Sequence, residues 1–151
     1  MKNSLSYKTQ TKLEELGGAM MSQRFYFDFI IDGKPLSELL SVKDFGMIGV
    51  IETSSNSNYR EEKIKELLLE KEPELENGRI MIYGCSECLD IGCGAMTVKV
   101  ERLDDSIVWK DFAYENGYEE TDFEEYKKIG SFVFDQKAYQ DLFTEIKYCI
   151  E

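Results

Sequence analysis

Apolar residues recur along this chain at two periods, and the switches between them mark out its elements. Residues 24–31, RFYFDFII, are rich in aromatic and β-branched side chains and read as a strand closed by an Asp32-Gly33 turn. Residues 34–42, KPLSELLSV, form a short helical segment, and 45–51, FGMIGVI, a second strand. After the polar stretch TSSNSNY the period becomes helical. Ile64, Leu67 and Leu68 fall on one face, acids come early, and Pro73 ends the run. Asn77-Gly78 is a turn, and RIMIYGC (79–85) a strand. In GAMTVKVERL (94–103), Met96, Val98 and Val100 alternate with Thr97, Lys99 and Glu101, as in a half-buried antiparallel strand. A tight DDS turn leads into IVWKDFAYE (107–115), where both faces carry apolar residues and Trp109 reads as core. SFVFD (131–135) is a short strand. The chain closes in an amphipathic helix with Asp135 as N-cap and Ala138, Leu142, Ile146 and Cys149 as its apolar stripe.

Consecutive strands joined by short turns predict a single α+β domain over residues 21–151. It should have a mainly antiparallel sheet, two or three helices, and the C-terminal helix packed on the sheet. Residues 1–20 have weak periodicity and end in Gly-Gly-Ala before two methionines, so they read as a flexible N-terminal extension. Met20 or Met21 is then a candidate translation start.

Composition narrows the function. The 151 residues are 42% hydrophobic and 32% charged, the balance of a globular domain rather than a disordered chain. No apolar run approaches the ~20 residues of a membrane span, and the N-terminal residues lack a signal peptide's apolar stretch. The expected location is the cytoplasm. Thirty acidic residues against 18 basic give a net charge of −12. Such a surface repels nucleic acid and favours a basic partner. The absence of histidine excludes Ser-His-Asp and Cys-His nucleophiles and His-ligated zinc.

Three of the four cysteines fall in 83–95, YGCSECLDIGCGA. Cys85 and Cys88 have the spacing of half a zinc knuckle, with Cys93 as a third ligand, but a fourth has to come from Cys149 or a carboxylate such as Asp90. Glu87 and Asp90 raise a neighbouring thiol's pKa and so oppose a reactive dithiol. The competing reading is a compact connection between two strands, with Gly84, Gly92 and Gly94 supplying unusual backbone angles.

This stretch, with IVWKDF and SFVFD, resembles a family of small, poorly characterised bacterial proteins. They share a CPECGDxGCGA core, an xVWxDF strand and a late PFxFD segment. The resemblance spans about residues 79–135, with Ser86 and Leu89 where the family has Pro and Gly. Some members carry an oxidoreductase label, but this chain has no glycine-rich strand–helix turn of the dinucleotide type.

Three functions compete. The first is a non-enzymatic acidic binding protein for a basic protein partner. Its build is similar to that of immunity proteins that neutralise a secreted toxin, with neither nucleic acid nor a membrane as partner. The binding residues are then in ENGYEETDFEE (115–125): Glu115, Tyr118, Glu119, Glu120, Asp122, Phe123, Glu124 and Glu125. There the acids speed encounter and the aromatics anchor. The alternative is a zinc or thiol protein built on Cys85, Cys88 and Cys93. The third, a carboxylate enzyme using Asp90, Asp111, Glu115 and Asp122, has no fixed pairing in the spacing.

Overall fold

A computed structural model describes residues 2–16, 20–42, 47–52, 57–85, 91–118 and 120–150, with the backbone alone at 11–16, 20–24, 57, 149 and 150. Two antiparallel sheets carry the domain. The first orders β1 (Leu5–Leu16), β2 (Met20–Ile31) and β3 (Lys34–Pro35). The second orders β4 (Met47–Gly49), β5 (Ile80–Cys85), β6 (Ala95–Leu103), β7 (Ser106–Glu115) and β8 (Phe132–Asp135). Among the described residues, three α-helices accompany them: α1 (Leu36–Leu39), α2 (Ser57–Leu67) and α3 (Gln136–Ile150). The α+β class is therefore as the pattern predicts. No helix among the described residues is long and apolar enough to cross a membrane.

Residues 5–16 are not a loose extension. They pair with β2 in unbroken antiparallel register, from Leu5 opposite Ile31 to Leu16 opposite Met20. The cause is visible in the half-buried Leu5 and Tyr7 alternating with the exposed Ser6 and Lys8. Tyr7 lies edge-on to Phe27, with ring centroids 5.5 Å apart, and its hydroxyl donates to Glu145 of α3 at 3.0 Å.

The sheets meet along two seams. On one, the Phe27 amide donates to the Ile51 carbonyl at 3.0 Å and Tyr26 bridges Glu52. On the other, the Asn3 amide donates to the Val133 carbonyl at 2.6 Å, and the Val133 amide donates back to the Asn3 side chain at 2.8 Å. These bonds cover backbone at the edge of β8, which would otherwise invite pairing with another chain. Gly49 lets the first seam close. A Cβ there would sit 2.7 Å from the Phe27 carbonyl oxygen, a backbone atom that cannot step aside. Gly49→Ala is expected to destabilise the fold by about 1–3 kcal/mol through this overpacking, measured as a lower urea midpoint with an unchanged slope.

An aromatic cluster ties both sheets to α3. Trp109 is fully enclosed and meets Phe29, Phe134 and Tyr139 edge-on, at centroid distances of 5.2, 5.4 and 6.2 Å. Its indole N–H donates to the Tyr139 hydroxyl at 3.1 Å, and that hydroxyl donates to the Leu67 carbonyl at 2.5 Å. The buried stripe of α3 is thus Tyr139, Phe143 and Ile146. Ile146 is buried as expected, but Tyr139 and Phe143 take the places expected of Ala138, which is exposed, and Leu142, which is half-buried; the Cys149 side chain lies outside the described residues. Asp135 caps the helix as expected, accepting from the Ala138 amide at 3.0 Å.

Helix α2 buries Ile64 and Leu67, with Leu68 just beyond it, but ends well before Pro73. Leu69 takes a φ of 62°, and the Leu69 and Glu70 amides bond back to the Glu66 and Lys65 carbonyls. That is a Schellman turn, which ends a helix without proline.

Candidate functional site

The site builds outward from a defect in the β6–β7 ladder. Thr97 faces Ala113 but Lys99 faces Lys110, so β7 carries one residue too many between them. The bulge falls at Asp111, whose φ is 55°. It turns the Asp111 carbonyl toward Arg79, which donates to it through Nη2.

Arg79 enters β5 from the Asn77-Gly78 turn and shares a sheet face with Thr97 and Glu115. Its Nε–H donates to Thr97 Oγ1 at 2.9 Å and to Glu115 Oε2 at 3.3 Å, and Nη2 donates to the Thr97 carbonyl at 3.1 Å. Thr97 in turn donates to Glu115 Oε2, while Asn77 Nδ2 (2.6 Å) and Thr121 Oγ1 (3.2 Å) donate to Oε1. Burial pulls the guanidinium pKa below its usual value, opposed by the Glu115 charge. Four donors saturate the Glu115 carboxylate inside the protein. Glu115 is therefore a foundation of the loop that follows it and not part of an exposed binding face.

That loop is closed at its base. Tyr114 and Asp122 exchange both backbone hydrogen bonds, at 3.0 and 2.9 Å. The Tyr118 amide donates to the Asn116 side chain at 3.0 Å, a local turn that leaves Tyr118 85% exposed. The Asp122 carboxylate then accepts from the Glu124 amide at 3.1 Å. This bond opens a 3-10 helix over Glu124–Ile129.

A 3-10 helix repeats every three residues, so residues i and i+3 eclipse. In EEYKKI that rule sorts the side chains onto three faces. Glu124 and Lys127 pair at 2.9 Å on one face. Tyr126 is buried and Ile129 half-buried against the core. Glu125 and Lys128 stand exposed on the third. Among the described residues, two clefts flank this helix. The larger, about 600 Å³, has Phe112, Phe123 and Tyr126 for walls, with Asp111, Glu124 and Lys127 also lining it. The smaller, about 350 Å³, runs between Leu39–Ser41 and Glu125, Tyr126 and Lys128. Phe123 is 39% exposed, and the Arg79 guanidinium lies 5.0 Å from its ring centroid. Burial raises the Tyr126 phenol pKa, helped by the charges of Glu125 and Asp122.

Of the expected binding residues, Tyr118, Glu120, Phe123, Glu124 and Glu125 lie on the surface and Asp122 is half-buried. Glu119 lies outside the described residues. Sequence reasoning missed Arg79, Asn77 and Thr97, which hold the loop, and the aromatic walls Phe112 and Tyr126. The only local signals were the polar Thr97 in an apolar strand and the three-residue spacing of Tyr126 and Ile129.

The cysteines do not converge among the described residues. Cys85 ends β5 half-buried, and Cys93 ends a 3-10 turn, Ile91–Cys93, exposed. Cys88 and Asp90 lie outside the described residues, and no group of three metal-ligating side chains occurs within them. Of the expected glycine hinges, Gly94 alone has a positive φ, 97°; Gly84 is an ordinary residue of β5, paired with Ile48 and Ala95.

A second polar cluster lies in the core. Asp28 of β2 is fully enclosed and accepts from Gln10 Nε2, Ser37 Oγ (2.6 Å) and the Tyr83 hydroxyl. With no solvent exposure it cannot meet a substrate, and it serves to join β1, β2, α1 and β5. No family model, no curated protein and no solved structure matches this chain.

Proposed function

We propose that this protein is a non-enzymatic binding module whose face at Tyr118–Glu125 engages a basic protein partner. Neutralisation of a cationic toxin domain by an immunity protein is its concrete form. One observation carries the reading: an acidic, aromatic loop is pinned at both ends by the buried Arg79–Glu115 network and the Tyr114–Asp122 bridge. A pinned loop loses little conformational entropy on binding. Its carboxylates draw in a cationic surface, and Tyr118 and Phe123 supply the amphipathic contact area typical of binding hot spots. The net charge of −12 adds long-range attraction for the same kind of partner.

The test is affinity capture from the native host at low salt, followed by binding kinetics with the captured protein. The expected partner is basic. Replacing Glu120, Glu124 and Glu125 together by Gln is expected to slow association about tenfold at low ionic strength and to change dissociation little. An acidic partner, or association kinetics indifferent to salt, would overturn the reading.

A further inference from the structure

We infer that the larger cleft beside the 3-10 helix is an arginine pocket, the subsite in which the basic partner anchors one guanidinium. This rests on the reading of the protein as a binder of basic proteins and names the group recognised. A volume of about 600 Å³ is in the range of built ligand sites, roughly 300–1,000 Å³. Of its aromatic walls Phe112, Phe123 and Tyr126, Phe123 is the exposed one, and a planar, weakly hydrated guanidinium stacks on such a ring where a compact ammonium stays in water. Phe123 already holds one guanidinium, that of Arg79.

The charges agree. Around the cleft, the two cations Arg79 and Lys127 are met by Glu115 and Glu124 respectively, at 3.3 and 2.9 Å. A third carboxylate, Asp111, is exposed on the cleft wall and acts on Arg79 through space only. Among the described residues its side chain has no hydrogen bond or ion pair. The cleft therefore combines aromatic walls with one net negative charge at its mouth. A bidentate Arg–carboxylate contact with Asp111 would fix both position and orientation of the incoming side chain.

The test is NMR titration of the full chain with N-acetyl-arginine methylamide, its lysine and citrulline counterparts, and a hexalysine peptide. Shifts from the arginine probe are expected at residues 111–112 and 123–131, with affinity at least about fivefold above both lysine and citrulline probes. Asp111→Asn, which keeps the backbone angle accessible, is expected to remove about fivefold of that affinity. Phe123→Leu is expected to lower it as well while leaving the rest of the amide spectrum in place. Equal binding of citrulline and arginine, or shifts elsewhere, would overturn the pocket. Hexalysine shifting residues 118–125 while the arginine probe leaves the cleft untouched would overturn the pocket and leave the acidic-face reading standing. No response to any cationic probe would overturn both.

Discussion

Glu115→Ala is expected to cost about 3–5 kcal/mol of folding stability, because it strands a buried guanidinium. In the native protein the Arg79 and Glu115 side chains are only 7% and 10% exposed. Removing the carboxylate leaves Arg79 with Thr97 and the Asp111 carbonyl as acceptors, with no ion pair and only the through-space charge of Asp111. Asn77 and Thr121 lose their acceptor at the same time. A domain of this size loses roughly 2–4 °C of Tm per kcal/mol, so the midpoint should fall by about 6–20 °C. Glu115→Gln keeps the shape and one acceptor oxygen and should cost less. The double variant Arg79→Met with Glu115→Leu is the informative control. It removes both charges together, and its cost should be well below the sum of the two single changes. Because the network also holds the loop, Glu115→Ala should weaken the binding proposed for that loop although Glu115 is itself enclosed. A loss below about 1 kcal/mol would show that the pair behaves as an exposed one and does not anchor the loop.

The contrast between Glu115 and its neighbours shows what local sequence can and cannot convey. β6 was legible because Met96, Val98 and Val100 alternate with Thr97, Lys99 and Glu101, and β7 because branched and aromatic residues crowd both of its faces. The helix N-cap at Asp135 was legible because capping chemistry is local. The α3 stripe was misplaced by one residue, since Ala138, Leu142 and Ile146 are spaced as regularly as Tyr139, Phe143 and Ile146. The larger apolar area of Tyr139 and Phe143 decides between them. β1 was missed because its apolar positions are sparse, yet Gly17-Gly18 between two runs is a recognised hairpin signal. The acidic loop stood out by composition, but its support did not. Arg79 lies 18 residues from Thr97 and 36 from Glu115, and pairing at that separation follows from sheet register and a bulge, which no short window contains. Asp28 was hidden for the same reason, an acid in an aromatic strand whose donors come from three other elements.

Alkaline pH is expected to destabilise this protein steeply, chiefly through two fully enclosed tyrosines. Burial raises the Tyr83 phenol well above its usual value, and the adjacent Asp28 raises it further through its charge and hydrogen bond. Burial also raises Tyr139, against a smaller opposing effect of the Trp109 hydrogen bond. In the unfolded chain both titrate near the ordinary tyrosine value, 10.0. Above that pH the unfolded state loses protons that the folded state keeps, so the unfolded state binds fewer and stability falls as pH rises. Below pH ~10 both states keep the phenol proton and the contribution is constant. Each fully protected phenol contributes a slope of about 1.4 kcal/mol per pH unit, and the two together about 2.7. Two pH units above 10 remove about 5 kcal/mol, the lower end of an ordinary domain stability of about 5–15 kcal/mol, and three remove about 8. The measurement is urea unfolding at a series of pH values, followed by the fluorescence of Trp109, the one tryptophan in the chain. Tyr83→Phe should roughly halve the alkaline slope while lowering stability at neutral pH, because Asp28 loses a donor. A stability that stays level between pH ~9 and ~11 would contradict the enclosure of both phenols.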